Sequence, residues 1–124
     1  MSIYDDPEER KDLVRRIFQI LNDWKIALEL QAILVGLPTD TKTRELTKIK
    51  NGKAFPDEDE FMRRAFEIIS INKGLKLVFP GNSTLGNLWV TTPSYNFNDC
   101  APVEVMLASF EGLQEINRHL HGRW

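Results

Sequence analysis

Apolar side chains recur along this chain at the three- and four-residue spacing of helices rather than in the alternation of strands. From Pro7 to Asp23 the pattern predicts an amphipathic first helix, because proline and the glutamates after it suit a first helical turn. A second helix is predicted from about Ile26 to Val35. Gly36 and Pro38 then favour its end, since glycine readily adopts the left-handed conformation and proline cannot continue a helix.

A third helix is predicted from a cap at Thr39 or Asp40 to about residue 50 or 51, where an Asn-Gly pair closes it. This helix is short and thinly apolar. Only Leu46 and Ile49 are clear inward anchors. Most of its circumference is therefore expected to face water.

The rest of the chain predicts further helices separated by strong turn signals. Four acids at Asp57–Glu60 mark the start of a fourth helix, which Asn72-Lys73-Gly74 is expected to break, because glycine costs about 1 kcal/mol relative to alanine inside a helix. Pro80-Gly81-Asn82 is a stop, and residues 91–100 are predicted as a loop. Two short helices are predicted, one capped by Ser83 or Thr84 and one with Pro102 in its first turn, and a last helix is predicted to start near Ser109.

The predicted fold class is all-α, with about seven short helices and no internal repeat. We expect an amino-terminal helix-turn-helix lobe, residues 1–72, packed with a small helical carboxy-terminal lobe, residues 73–124. The chain has 124 residues, 42% of them hydrophobic, which is enough for one compact core. No apolar run approaches the roughly 20 residues of a membrane span.

Composition bears on location. The amino terminus carries acids where a secretory signal needs a basic start and an apolar stretch, so export is not expected. The single cysteine, Cys100, excludes an internal disulfide. A cytoplasmic location is the expectation.

Charge is segregated although the formal net charge is only -2. Residues 41–53 hold five basic side chains and one acidic one, a local balance of +4, and acids cluster at residues 5–9 and 57–60 on either side. Charge runs usually form a solvated face. This segregation therefore indicates DNA binding only if the basic stretch forms a helix that can enter a DNA groove.

The second and third predicted helices are joined by Gly36-Leu37-Pro38, the spacing of a helix-turn-helix. With Leu46 and Ile49 inward, the side chains expected to face outward as DNA contacts are Thr41, Arg44, Thr47, Lys48 and Asn51. Arginine pairs bidentately with guanine and asparagine with adenine, while lysine neutralises phosphate. The alternative is a surface helix that is polar because it is exposed. A chain with net charge -2 also implies a homodimer, which presents two such helices about one DNA turn apart.

Catalysis is not expected, and no cofactor is predicted, because no phosphate-binding glycine loop, nucleophile triad or dinucleotide fingerprint occurs. His119, His121 and Cys100 are a poor metal set, since residues two apart on a helix point about 160° from each other.

Two groups of residues together resemble the Xre/MbcA/ParS antitoxin family. The first comprises Asp23-Trp24, Leu30–Pro38 and the basic helix ending Lys50-Asn51-Gly52, similar to that family's Xre-like helix-turn-helix. The second resembles its carboxy-terminal toxin-binding domain and comprises Leu77–Pro80, Trp89, Thr92-Pro93, Phe97, Ala101–Leu107 and Glu111–Leu113. The resemblance spans roughly residues 13–120.

The resemblance implies an antitoxin of a type II toxin–antitoxin pair. Its partners would be a RES-domain toxin that consumes NAD, neutralised by the carboxy-terminal lobe, and operator DNA, bound by the amino-terminal lobe in autorepression. Gly122 can end the last helix, and Arg123 and Trp124 are residue types enriched in binding hot spots. We expect these two residues to bind the toxin at its NAD pocket; the alternative is that Trp124 folds back onto the last helix.

Three functions remain open at this point. The chain is an antitoxin with DNA and toxin surfaces, a stand-alone helix-turn-helix transcription regulator, or an all-α protein-interaction module without DNA binding.

Overall fold

The computed structural model describes residues 7–122, and within them the protein is all-α, as predicted, with no strand. One 3₁₀ turn, Tyr95–Phe97, lies in the predicted loop. No helix in this part of the chain combines the length and apolar character needed to cross a membrane. The seven helices are α1 (Pro7–Asp23), α2 (Leu28–Leu34), α3 (Thr43–Lys50), α4 (Glu58–Val78), α5 (Ser83–Trp89), α6 (Pro102–Ala108) and α7 (Phe110–His121).

A tight turn separates α1 from α2, and it shortens α2 relative to the prediction. Lys25 adopts a left-handed conformation with φ 63°. Ala27 is extended, and its carbonyl accepts the first helical bonds from the next turn, so α2 starts at Leu28 rather than Ile26. The buried amide of Gln31 donates to the Ile26 carbonyl at 2.9 Å, which fixes the turn against the helix.

The predicted break at Asn72-Lys73-Gly74 is wrong, because α4 is continuous from Glu58 to Val78. A Cβ atom on Gly74 would lie 2.8 Å from Leu120 Cβ and 2.9 Å from His121 Nε2. The glycine therefore permits close packing of α7 rather than ending the helix. The proposed division into residues 1–72 and 73–124 stays a prediction, and α4 runs through its boundary.

Side-chain caps begin three of the helices. Asp57 accepts a hydrogen bond from the Glu60 amide at 3.0 Å, and Ser109 accepts one from the Gly112 amide at 3.1 Å. Asn82, rather than the expected Ser83 or Thr84, caps α5 by accepting from the Leu85 amide. Each cap satisfies an amide that has no partner within its helix.

A single hydrophobic cluster runs through both halves of the described chain. α4 packs against α1, α5 and α7, while α6 packs on α7 and also contacts α2. α3 is the peripheral element of this arrangement and packs against α1 and α2. The largest fully buried side chains include Trp24, Ile17, Leu34, Phe61, Ile68, Met106, Leu113 and Ile116.

Candidate nucleic-acid interface

The connection between α2 and α3 is longer than the predicted three-residue turn, because it covers residues 35–42. Gly36 adopts φ 90°, which suits its place after the end of α2. The Pro38 carbonyl then accepts two hydrogen bonds from Thr41, from its amide at 3.1 Å and its hydroxyl at 2.7 Å. Because residues 38–41 form this turn, α3 starts at Thr43 rather than near Thr39 or Asp40.

Two apolar side chains hold α3 in place, as the sequence predicted. Leu46 and Ile49 are 2% and 0% exposed. The ammonium of Lys50 adds a third contact, since it lies 4.9 Å from the centre of the Phe18 ring on α1. Burial at this contact lowers the pKa of Lys50.

The structure brings together four of the five predicted DNA-contacting residues. Arg44, Thr47, Lys48 and Asn51 are all exposed and follow the spacing of one helical stripe. The Thr47 hydroxyl donates to the Thr43 carbonyl at 3.0 Å. The expected helical position of Thr41 is wrong, because this half-buried residue lies in the preceding turn and its hydroxyl is bonded to the Pro38 carbonyl.

The five basic residues of the stretch divide into two groups. Lys53 forms an ion pair with Glu45, and this hydrogen bond lowers the pKa of the Glu45 carboxyl. Lys50 is engaged with Phe18. The remaining three, Lys42, Arg44 and Lys48, form no salt bridge with any residue in the described range 7–122, and all are exposed. Because Lys53 neutralises Glu45, which is the one acid on α3, the outward face of the helix keeps a net positive charge.

Lys42 is a candidate contact that the sequence analysis missed. It is the N-cap residue of α3, and its side chain caps no backbone amide. The first amides of α3 therefore have no side-chain acceptor at their N-cap, and amides at a helix N-terminus can bind a phosphate group. The sequence signal for Lys42 was its place in the basic stretch. Because the third helix was predicted to start earlier, from a cap at Thr39 or Asp40, Lys42 was not expected at the helix N-terminus.

A shallow depression of about 460 Å³ lies between the turn and the outward face of α3. Thr41, Arg44 and Lys48 line it together with Asp40 and Pro56. Asp40 is exposed and lies two residues before Lys42. Glu45 on the helix and Lys42 in the connection also line the depression, so it carries three basic and two acidic side chains.

The carboxy-terminal site prediction concerns Arg123 and Trp124, which lie outside the described residues. α7 ends at His121, and Gly122 follows as its C-cap residue. Farther from the terminus, four large apolar side chains of the carboxy-terminal half are strongly exposed: Leu77 (70%) near the end of α4, Leu85 (47%) and Leu88 (58%) on α5, and Tyr95 (93%) in the loop.

The histidines occupy separate environments. His119 stacks on Trp89 with ring centres 6.1 Å apart, and it also meets the edge of Phe97. His121 instead contacts α4, where its Nε2 lies 2.8 Å from the Ser70 carbonyl oxygen. Across residues 7–122, no group of three histidine, cysteine or acidic side chains is placed to hold a metal ion. Cys100 is a half-buried free thiol.

Comparison with protein-family models and with curated proteins gives no match for this chain.

Proposed function

We propose that this protein is an antitoxin that binds its own operator DNA through α3 and neutralises a toxin through its carboxy-terminal lobe. The observation that carries the DNA-binding part is the outward stripe Arg44, Thr47, Lys48 and Asn51, which is exposed while Leu46 and Ile49 anchor the opposite side. The antitoxin part is supported by the resemblance of the sequence to the Xre/MbcA/ParS family.

The dimensions of α3 suit a reading helix. An α-helix with its side chains is about 10–12 Å in diameter, which fits the roughly 12 Å width of the B-DNA major groove, and the eight residues of α3 span about 12 Å along its axis. Arg44 can donate two hydrogen bonds to guanine, and Asn51 can pair with adenine. Lys42 and Lys48 would contact phosphates and fix the register of the helix.

The test is binding to the DNA upstream of the gene, measured by fluorescence anisotropy against a shuffled duplex of the same length. The double substitution Arg44→Ala plus Lys48→Ala is expected to weaken binding by about 100-fold, because it removes one base contact and one phosphate contact. Both side chains are exposed, so the fold should be retained.

A matched control removes two cations elsewhere. Arg16→Ala plus Arg118→Ala lowers the net charge equally, at exposed positions on α1 and α7. Arg16 is two residues from Phe18 and so faces away from the α3 contact. If the control weakens binding as much as the α3 variant does, the binding is unspecific charge attraction and α3 is not the reading element.

The proposed toxin surface lies in the carboxy-terminal half. Exposed apolar side chains such as Leu88 and Tyr95 are suited to burial against a partner protein. In this proposal Arg123 and Trp124 enter or border the NAD pocket of the RES-domain toxin and block access of the dinucleotide. A guanidinium group matches the pyrophosphate of that substrate.

This part is tested with the product of the neighbouring gene. Co-expression should relieve its toxicity, and the purified antitoxin should inhibit its consumption of NAD. Deleting Arg123 and Trp124 is expected to abolish inhibition while a stable complex persists. Unchanged inhibition would show that the last two residues do not block the pocket, and a harmless neighbour would contradict the antitoxin function itself.

A further inference from the structure

α4 carries an apolar side chain on its solvent face that the monomer does not cover. Phe66 is 56% exposed, which is unusual for a phenylalanine near the middle of the longest helix. Ile69, one turn later, is half-buried. This patch lies beside the α7 contact, where the Arg63 guanidinium stacks 3.9 Å from the centre of the Phe110 ring.

Two charges of opposite sign flank Phe66 at equal distances. Asp59 lies seven residues before it and Lys73 seven residues after it. Residues seven apart return to nearly the same face of a helix, so each charge lies about 10 Å from Phe66 along one stripe. Both are exposed, and neither forms a salt bridge with any residue in the range 7–122.

We propose that the occupant of this stripe is a second copy of the chain, with the two α4 helices antiparallel about a two-fold axis at Phe66. The axis places Phe66 against its own copy. It also places Asp59 of each chain opposite Lys73 of the other, so the arrangement makes two equivalent ion pairs and buries both exposed rings. A parallel arrangement would instead bring like charges together.

Wider charge patterning along α4 supports the antiparallel direction. In the first turn, Glu58 pairs with Arg10, and Glu60 pairs with Arg63 and Arg64, which leaves Asp59 as the acid available to a partner. At the other end of the helix, Lys76 extends the basic side chains beyond Lys73. A helix face with an unpaired acid near one end and an unpaired base near the other is complementary to its own reversed copy. This inference goes beyond the proposed function, because the pairing of α4 helices does not depend on whether the chain binds DNA or a toxin.

The experiment is sedimentation equilibrium on the full chain over a range of concentrations. The parent is expected to be a dimer, and Phe66→Glu a monomer. Asp59→Lys and Lys73→Asp should each raise the dimer dissociation constant by about tenfold or more, since each places like charges opposite one another at both ends. Equimolar mixing of these two single variants should restore the dimer, because every charge then faces its opposite.

Controls separate this surface from general effects of charge and folding. Lys48→Glu changes the charge on α3 and should leave the dimer intact. Helical circular dichroism should be unchanged in all variants, because every substituted side chain is exposed. A monomeric parent, a dimer insensitive to Phe66→Glu, or failure of the mixed variants to associate would each overturn the proposal.

Discussion

At the scale of single residues, a few side chains decide which cations of the basic stretch are available to a ligand. Glu45 on α3 lies near enough to Arg44 and Lys48 to interact with both charges, yet Lys53 neutralises it. The hydrogen bond from Lys53 lowers the pKa of Glu45, so the carboxylate stays ionised and paired at neutral pH. Sequence counting found the correct local balance of charge, but only the structure separates the engaged cations from the free ones.

Asp40 offers a test at this scale. It lines the same depression as Arg44 and Lys48, and it has no salt-bridge partner among residues 7–122. Asp40→Asn should raise the affinity for upstream DNA by about threefold, because it removes a charge that repels phosphate. The anisotropy titration measures this gain. Weaker binding would indicate that Asp40 accepts a hydrogen bond from a cytosine instead.

At the scale of helices, the close approach of α7 to α4 and to α6 depends on two glycines, and the hydrophobic pattern does not predict this role. A Cβ atom on Gly112 would lie 1.9 Å from the Val105 carbonyl oxygen, so the start of α7 packs directly on the backbone of α6. Leu113 and Ile116 on α7 are fully buried, at the three-residue spacing of one helix face. The hydrophobic pattern predicted a helix break at Gly74. In the structure this glycine instead makes room for α7, which begins 36 residues later at Phe110, and a local pattern cannot detect a contact with so distant a helix.

Gly112→Ala should therefore destabilise the fold by about 3 kcal/mol, because backbone atoms must move to admit the methyl group. Gly86→Ala on α5 is the matched control. Its added Cβ would meet Phe79 Cδ2 at 3.5 Å, an ordinary contact, so better helix propensity should give a gain of up to about 1 kcal/mol. Urea unfolding monitored by circular dichroism measures both. Equal stability of the two variants would contradict the close α6–α7 packing.

An ion-pair cluster joins α4 to the end of α2 and predicts a pH dependence. Hydrogen bonds from Arg63 and Arg64 lower the pKa of Glu60 below its ordinary value of 4.5, and Arg64 also reaches the Ile33 carbonyl at 3.5 Å. A lowered folded-state pKa stabilises the protein above the unfolded value, and this contribution is lost as pH falls through the folded value.

The unfolding free energy of the parent should therefore exceed that of Glu60→Gln at neutral pH, and the difference should shrink as pH is lowered below 4.5. The gap at neutral pH should be modest, because the arginines are partly exposed. Urea titrations at several pH values measure it. A difference that is constant across this range would exclude Glu60 as the titrating group.

At the scale of the whole molecule, the two predicted lobes share one core. α2 contacts α6, and the continuous α4 packs against helices from both halves. The all-α class and the order of the helices follow from the apolar spacing and the turn residues. The relation between the lobes could not be predicted, because it arises from contacts between elements far apart in the chain. The eight-residue connection before α3 was missed for a related reason: the turn from Pro38 to Thr41 is held by hydrogen bonds, not by periodicity.

The shared core makes α3 the peripheral element whose outward face is open to a ligand, and DNA reading by that face is the central claim. Its most direct test is the salt dependence of binding to upstream DNA. The slope of log affinity against log salt concentration should be about 1 unit shallower for Arg44→Ala plus Lys48→Ala than for the parent, since the lost contact between Lys48 and a phosphate removes about 0.9 and Arg44 contacts a base. An unchanged slope, with the affinity also unchanged, would contradict the claim.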